Sequence, residues 1–468
     1  MWRFRTIGRI VSITGGHLGN LSPYVSYKRL KFNSKHVREG DLFVALKGEK
    51  TDGHLYVDEA FSRGAIAAIV SEDYFFEHYN QKPLIGVDDT LKALWRLAGA
   101  RMQMEHQNET VAVVGSVGKT TTKELIAHLL SGVYSLYKTP GNFNTLISVP
   151  AEVINMPLGI PISIFEVALH EVGDVEILSS ILRPKVLVIT AIGAEHLQYL
   201  NDISTVKKEN LKALKYVKTG GWVVVPGNIY KDVIQYPNIH SDQIITFGRR
   251  GHVDISVRNI TVDWKGTTFT INAFGERKKI HVPLYGMHYV LDIMAAVAVG
   301  LIYDMTLSYI ADRLKHFVPV WGRMQVYDIG DIKVIFDAYN ASPESMKYFI
   351  ITLSELVKDR SKLLIVVGDM KELGKHSAKY HSKLAEWLMK LKPGKIVLVG
   401  EEVSVTYNVL KSVGIDTVDW YRDVNELIDF FELDTMLANY SCIALKASRS
   451  IHLERLLELV WLARDEST

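Results

Sequence analysis

Cysteine is almost absent: Cys442 is the single one in 468 residues. Disulfide frameworks and cysteine-based metal sites are thereby excluded, and a reducing compartment is the expected setting. Long apolar runs are missing too. The stretch "IMAAVAVGLIY" falls well short of the ~20 residues that a membrane-spanning helix needs, and the N-terminus "MWRFRTIGRIVSITGG" has arginines but no extended apolar segment. Charge of one sign is the third absence. Lys+Arg 54 against Asp+Glu 52 leaves a formal charge of +2, which supplies no general attraction to nucleic acid or anionic lipid. These absences lead to the expectation of a cytoplasmic protein with no nucleic-acid partner and no membrane insertion; a monomer is expected as well, although none of these absences bears on it.

What is present suits a multi-unit globular chain. With 48% hydrophobic and 23% charged residues, a sizeable core is available, and the length calls for two to four compact units. The first hundred residues carry "DLFVALKG", "AIAAIVS" and "PLIGV", strand-like runs separated by helical segments such as "HLYVDEAFSRG". The polar stretch "ARMQMEHQNET", Ala100 to Thr110, reads as a linker. From Val111 the runs "VAVVG", "ISIFEVA", "KVLVITAIG" and "GWVVVPGN" are continuous, as in a parallel sheet covered on both faces. Between Ile255 and Gly286 the pattern alternates instead, predicting antiparallel strands with one wet face, and "YVLDIMAAVAVGLIYDM" predicts a closing helix. Beyond Pro319, "KVIFDAYN", "KLLIVVGDM", "KIVLVG" and "CIALKAS" alternate with amphipathic helices, which predicts a Rossmann-like unit. The expected fold is α/β with three domains, at 1–106, 107–318 and 319–468: a small first unit, a central parallel sheet with an antiparallel extension, and a Rossmann-like third.

Chemistry concentrates in the middle unit. In "VAVVGSVGKTTTKELIAHLL", Gly115 and Gly118 allow backbone N–H groups to approach phosphate oxygens, Lys119 supplies positive charge, and the Thr120 hydroxyl can ligate Mg²⁺. Two residues separate the glycines instead of the usual four, so the loop departs from the common P-loop spacing. Strand before and helix after are nevertheless the context such a loop requires. Glu166 and His196 both follow predicted central strands, where open α/β sheets place their ligands. Taken singly, such a Glu reads as a cap or surface charge and such a His as a structural residue; beside a loop that needs metal ligands they gain weight. The helix "TVKKENLKALK", with Lys207, Lys208 and Glu209, reads from composition as a solvated face.

Together these residues resemble the Mur ligases of peptidoglycan synthesis, from about Val37 to Glu454. The resemblance rests on "GSVGKTTTKE", "TPGNFNTLISVP", "FEVALHEVGDVEIL", "ITAIGAEHL", "VKKEN", "WGRMQ", "FDAYNASPESM", "GDMKELG" with a later His381, and "LKASRS". It implies a first domain holding the UDP end of a muramoyl-peptide, a central ATP domain, and a mobile third domain that brings the amine. The implied reaction adds D-alanyl-D-alanine to UDP-N-acetylmuramoyl-tripeptide through an acyl phosphate, with ATP and Mg²⁺. By resemblance, Gly115, Ser116, Val117, Gly118, Lys119, Thr120, Thr121, His288, Asp292, Arg323 and Asp337 bind ATP, the last through its ribose. Thr120 and Glu166 would serve one Mg²⁺ and His196 a second, with Lys207 as a carbamate ligand; Lys119, Glu166, His196 and Lys207 are the catalytic set. Ser34, Thr51, Asp52, Asn142, Asn144, Asn340 and Ser342 are substrate-binding candidates. The alternatives are a paralogue joining a different carboxylate and amine by the same chemistry, or a non-catalytic ATP-binding descendant.

The chain also departs from the family's pattern. Lys35 stands where an arginine is usual, keeping charge but losing the bidentate fork. Val117, Thr145, Ala168, Ala191, Tyr289, Asp292, Phe336 and Ala447 replace usual residues around the active centre, while His288 is kept. The phosphate, metal and lysine positions are intact.

Overall fold

The computed structural model describes residues 4–48, 51–105, 107–195, 197–430 and 439–465. Three sheets follow one another along the chain. The first has five strands in the order His17–Leu18, Leu84–Val87, Ala67–Ser71, Leu42–Val44, Leu30–Lys31, and only the His17–Leu18 pairing is antiparallel. Its parallel strands come from the short apolar runs, and Leu84–Val87 is buried at every position.

The second sheet has nine strands. Glu109–Val114 lies between Ile162–Glu166 and Val186–Ile189, all parallel. The chain therefore winds first to one side of Glu109–Val114 and then to the other. The crevice beyond the C-terminal ends of these strands is the place where such sheets hold their ligands. At the far edge, Ile255–Asp263, Gly266–Ala273 and Glu276–Val282 pair antiparallel, and burial alternates along Gly266–Ala273 as its sequence predicts. The helix Met287–Ile302 covers this side. The third sheet has six strands, antiparallel only between Gln325–Ile329 and Ile332–Phe336; Cys442–Lys446 pairs parallel with both Ile332–Phe336 and Leu363–Gly368.

One expectation is corrected. The supposed linker from Ala100 to Thr110 is mostly regular structure: the helix Thr90–Met104 runs through its first half, and a strand begins at Glu109. Ala93, Leu94, Leu97, Ala98, Arg101 and Met102 are buried along that helix. Its buried stripe keeps helical spacing to the end, although the sequence around it has turned polar. Arg101, 1% exposed, donates to the Met156 carbonyl of the middle unit at 3.2 Å and pairs with Glu105. The helix thus fastens first to second unit, and Ile69, Leu97, Val149 and Leu178 share one buried cluster across that boundary. Met294 and Ile350 share another across the next boundary. At about 1.5–3 kcal/mol for each large apolar side chain buried, these clusters hold neighbouring units together without a covalent staple. Among the described residues, no helix is long and apolar enough to cross a membrane.

Candidate active site

After Val114 the chain enters the helix Lys119–Leu130 through Gly115 and Gly118, whose φ values are 125° and 90°. Space also forbids a side chain there. A Cβ at Gly115 would lie 2.4 Å from Thr190 Oγ1, and one at Gly118 would lie 2.1 Å from Asp292 Oδ1. Only glycine satisfies both demands, and the outcome is a tight loop that delivers a helix N-terminus to the crevice, where an anion is favoured.

The crevice is a cleft of about 410 Å³ between the middle and third units. Ser116, Val117, Gly118, Lys119, Thr120, Thr121, Asn142, Asn144 and Glu166 line one wall, with His288 and Asp292 at its side. Arg323, Asp337, Asn340 and Ser342 line the other. Gly115 lies beneath, its carbonyl accepting from Lys119 Nζ at 2.6 Å. Lys119 also donates to the Ser116 carbonyl at 3.2 Å and to Glu195 Oε1 at 2.6 Å.

Glu166 is 2% exposed. Its Oε1 accepts from Asn144 Nδ2 at 2.8 Å, whereas Oε2 is buried with no hydrogen-bond partner. A buried carboxylate oxygen left this way is costly unless a cation completes it. The Thr120 hydroxyl faces the same cleft, and hard oxygen donors suit Mg²⁺. The residues present therefore fit a divalent ion. Among the described residues no three of His, Cys, Asp and Glu converge as a self-sufficient cage, so such an ion would complete its shell with hydroxyl, water and ligand oxygens. Asn144 is itself held in place: Lys123, fully buried, donates to the Thr139 and Gly141 carbonyls at 2.8 Å each, and Asn144 O accepts from Ala168 N at 2.9 Å.

On the opposite wall the Asp337 carboxylate is satisfied, whereas Arg323 Nε is buried without a hydrogen-bond partner. Asp337 Oδ1 accepts from Met324 N at 3.2 Å and Oδ2 from Lys446 Nζ at 2.7 Å. Lys446, 1% exposed, also donates to the Asn340 carbonyl at 3.1 Å. Burial draws its pKa down, opposed by the adjacent Asp337 charge. Asn340 and Ser342 shape the turn: Asn340 Oδ1 accepts from Ala341 N, and Ser342 Oγ caps the helix Pro343–Leu356. Arg323 lies 4.6 Å over the Tyr339 ring. His288 is packed against Tyr289 and Tyr348, with ring centres 4.0 and 5.7 Å away, and its Nδ1 has no partner. Burial, aided by the Lys446 and Arg323 charges, pushes its pKa down to about 3, so the imidazole is neutral. Burial pushes the Asp292 carboxyl well above the usual range, with Arg323 opposing.

The third unit is docked on the segment after Val186–Ile189. Ala194 N donates to Glu344 Oε1 at 3.1 Å, Gln198 N to Glu372 O at 3.2 Å, and His376 Nε2 lies 3.1 Å from Asn201 O.

Family models for the "Mur ligase family, catalytic domain", the "Mur ligase middle domain" and the "Mur ligase, glutamate ligase domain" match residues 26–102, 113–300 and 322–449. The UDP-N-acetylmuramoyl-tripeptide–D-alanyl-D-alanine ligase of Bacillus subtilis is 31% identical over 97% of this chain and 98% of its own length. The chain belongs to the Mur ligase family. Its fold agrees with that of MurF from Acinetobacter baumannii, at a TM-score of 0.88 and 26% identity over 98% of each chain. MurF from Thermotoga maritima in complex with ADP gives 0.82 and 28% identity, over 94% of this chain and 99% of that one.

Other candidates of this Mur ligase stand outside the cleft lining. Ser34 Oγ donates to Glu59 Oε2 at 2.7 Å, tying its turn to the helix Val57–Ser62. Thr51 Oγ1 lies 3.1 Å from the Tyr56 hydroxyl. Asp52 Oδ1 accepts from His54 N and lies 2.6 Å from His54 Nδ1. Because His54 Nε2 accepts from Ser71 N at 2.9 Å, the ring proton belongs on Nδ1. The His54 N–H holds the Asp52 carboxyl below its ordinary range.

His196 lies outside the described residues. Lys207 is part-exposed and pairs with Asp232 Oδ2 at 2.6 Å instead of lining the cleft. Carbamylation reverses the charge and turns attraction to Asp232 into repulsion. The neighbouring Glu209, buried, accepts from Gly173 N at 2.9 Å and fixes the loop that carries His170.

Several cleft residues escaped the sequence reading: Glu195, Tyr339, Glu372, Lys446 and the Ser448–Ser450 turn. The segment "LKASRS" did carry a signal for Lys446 and Arg449. Nothing local marks Glu195, whose partner is 76 positions away.

Proposed function

We infer that this chain is an ATP-dependent, ADP-forming ligase that adds D-alanyl-D-alanine to UDP-N-acetylmuramoyl-tripeptide, acting as a cytoplasmic monomer. The observation that carries the reading is the unpartnered, buried Glu166 oxygen beside Lys119 and Thr120, in a chain that matches such ligases along nearly its whole length.

A carboxylate is a poor electrophile, and phosphorylation gives it a leaving group. The first difficulty is electrostatic, because an anionic carboxylate must meet an anionic triphosphate. Lys119, the helix N-terminus behind Gly118 and Arg323 of the third unit face that meeting with positive charge. When bound, Mg²⁺ supplies further neutralisation and in-line alignment. Thr120 and Glu166 are assigned to one ion, and His196 with carbamylated Lys207 to a second. Asp337 faces the nucleotide's ribose, His288 and Asp292 flank its base, and Ser116, Val117 and Thr121 complete the loop. Ser34, Thr51 and Asp52 serve the uridine end of the acceptor; Asn142, Asn144, Asn340 and Ser342 line the path of the peptide and the incoming amine. The amine of D-alanyl-D-alanine then attacks the acyl phosphate and releases phosphate.

The test is phosphate release from ATP with UDP-N-acetylmuramoyl-tripeptide, with and without D-alanyl-D-alanine. Sustained release is expected only when all three are present. Release that ignores both the tripeptide and the dipeptide would sink the assignment.

A further inference from the structure

A lysine ammonium has three N–H donors, and all three of Lys119 have acceptors: Gly115 O, Ser116 O and Glu195 Oε1. A phosphate can be bound by Lys119 only if one acceptor yields. Gly115 and Ser116 belong to the loop itself; Glu195 does not. Its side chain is 10% exposed and that of Lys119 is 9%, so the contact is poorly screened by solvent. A carboxylate and a phosphate at one ammonium also repel each other.

The segment carrying Glu195 is gripped from two sides. On the phosphate-loop side, Ser116 N donates to Ala191 O at 2.6 Å, Gly193 N donates to Ser116 Oγ at 3.0 Å, and Val117 bridges Ala191. On the side of the third unit, Ala194 N donates to Glu344 Oε1. Glu344 sits so close that a Cβ at Gly193 would lie 3.0 Å from its Cδ. Glu344 belongs to the first turn of the helix Pro343–Leu356.

We propose that Glu195 is a positioning residue: its carboxylate latches Lys119 and is displaced by incoming phosphates, while Glu344 fixes the latch from the third unit. This rests on the reading of the loop as a nucleotide site. Nucleotide entry and docking of the third unit are then linked through Lys119, Glu195, Ala194 and Glu344, and each side acts on the other with equal strength.

The test is titration of the full chain with a fluorescent ADP analogue in EDTA, so that divalent ions take no part. Glu195→Gln keeps the shape and the acceptor but removes the charge; it is expected to bind roughly ten-fold more tightly than wild type, the scale of a charge-assisted hydrogen bond weakened to a neutral one. Glu344→Ala is expected to bind about three-fold more tightly, and Glu344→Gln, which keeps an acceptor for Ala194 N, to return to the wild-type value. The double variant Glu195→Gln/Glu344→Ala binds no more tightly than Glu195→Gln alone if Glu344 acts through Glu195. Amide exchange at Ala194, slow in the free wild type, accelerates in Glu344→Ala and on ADP addition. Equal or weaker binding by Glu195→Gln, with wild type binding normally, overturns the latch alone. Absence of any ADP binding by wild type, in EDTA and again with Mg²⁺ in excess, removes the nucleotide-site reading and the latch with it.

Discussion

The two walls of the cleft solve opposite problems. The middle-unit wall is left incomplete: Glu166 Oε2 is buried without a partner, and glycine stands where any side chain would collide. On the third-unit wall the Asp337 carboxylate is satisfied by Lys446 and the Met324 N–H. A surface that must receive ligands keeps unsatisfied groups at a cost in stability. On the arriving wall the buried ion pair closes its own hydrogen bonds, and Arg323 Nε stays open toward the cleft. Substitutions on the two walls should therefore separate activity from stability.

The largest effect is expected for Glu166→Gln. Turnover should fall by about 10²–10³-fold, the scale for removing one preorganised electrostatic contact from a transition state, while thermal unfolding stays at or above the wild-type midpoint. A fall in midpoint together with activity would show that Glu166 is structural and would erase the contrast. Lys207→Ala comes next, with a loss of roughly 10²-fold on the same scale. Formate or acetate, filling the place of a carbamate, should restore part of it. Turnover within two-fold of wild type would leave Lys207 as nothing more than the partner of Asp232.

Lys446→Met tests the other wall. It strands Asp337 in a buried site, for which a loss of about 3–5 kcal/mol in unfolding free energy is typical, measured by urea titration. The double variant Lys446→Met/Asp337→Leu should recover much of that stability but no activity. A single variant as stable as wild type would mean that the wall does not depend on its own ion pair.

The smallest effect is one of pH. Burial lowers His288 to about 3 in the fold, against about 6.5 when unfolded. The neutral ring is favoured in the native state, so its contribution is complete above pH 6.5 and is lost as pH falls toward 3. At about 1.4 kcal/mol per pH unit, the wild type should lose roughly 2 kcal/mol between pH 6.5 and 5 from this residue. His381, also lowered by burial, adds a loss of the same sign. His288→Phe should show a shallower acid limb in urea titrations; an unchanged slope would place His288 in contact with water.

Legibility followed distance along the chain. The phosphate loop could be read because its parts are neighbours: glycines, lysine and threonine lie within six positions, and the strand and helix around them show as local periodicity. The antiparallel edge was legible for the same reason, since alternation is a two-residue signal. The helix Thr90–Met104 was missed at its polar end because burial of Arg101 depends on carbonyls of the middle unit.

By itself the sequence determined the three α/β units, the order of their strands along the chain and the position of the phosphate grip. Only the tertiary structure decided which charges meet. Asp337 and Lys446, 109 positions apart, pair because Ile332–Phe336 and Cys442–Lys446 are neighbouring parallel strands. Lys119 meets Glu195 because the strand leading to the loop lies beside Val186–Ile189. Backbone hydrogen bonds within helices and tight turns follow from local pattern. The partner of a buried ion is whichever opposite charge the packed sheets bring within about 3 Å, and no short stretch of sequence contains that information.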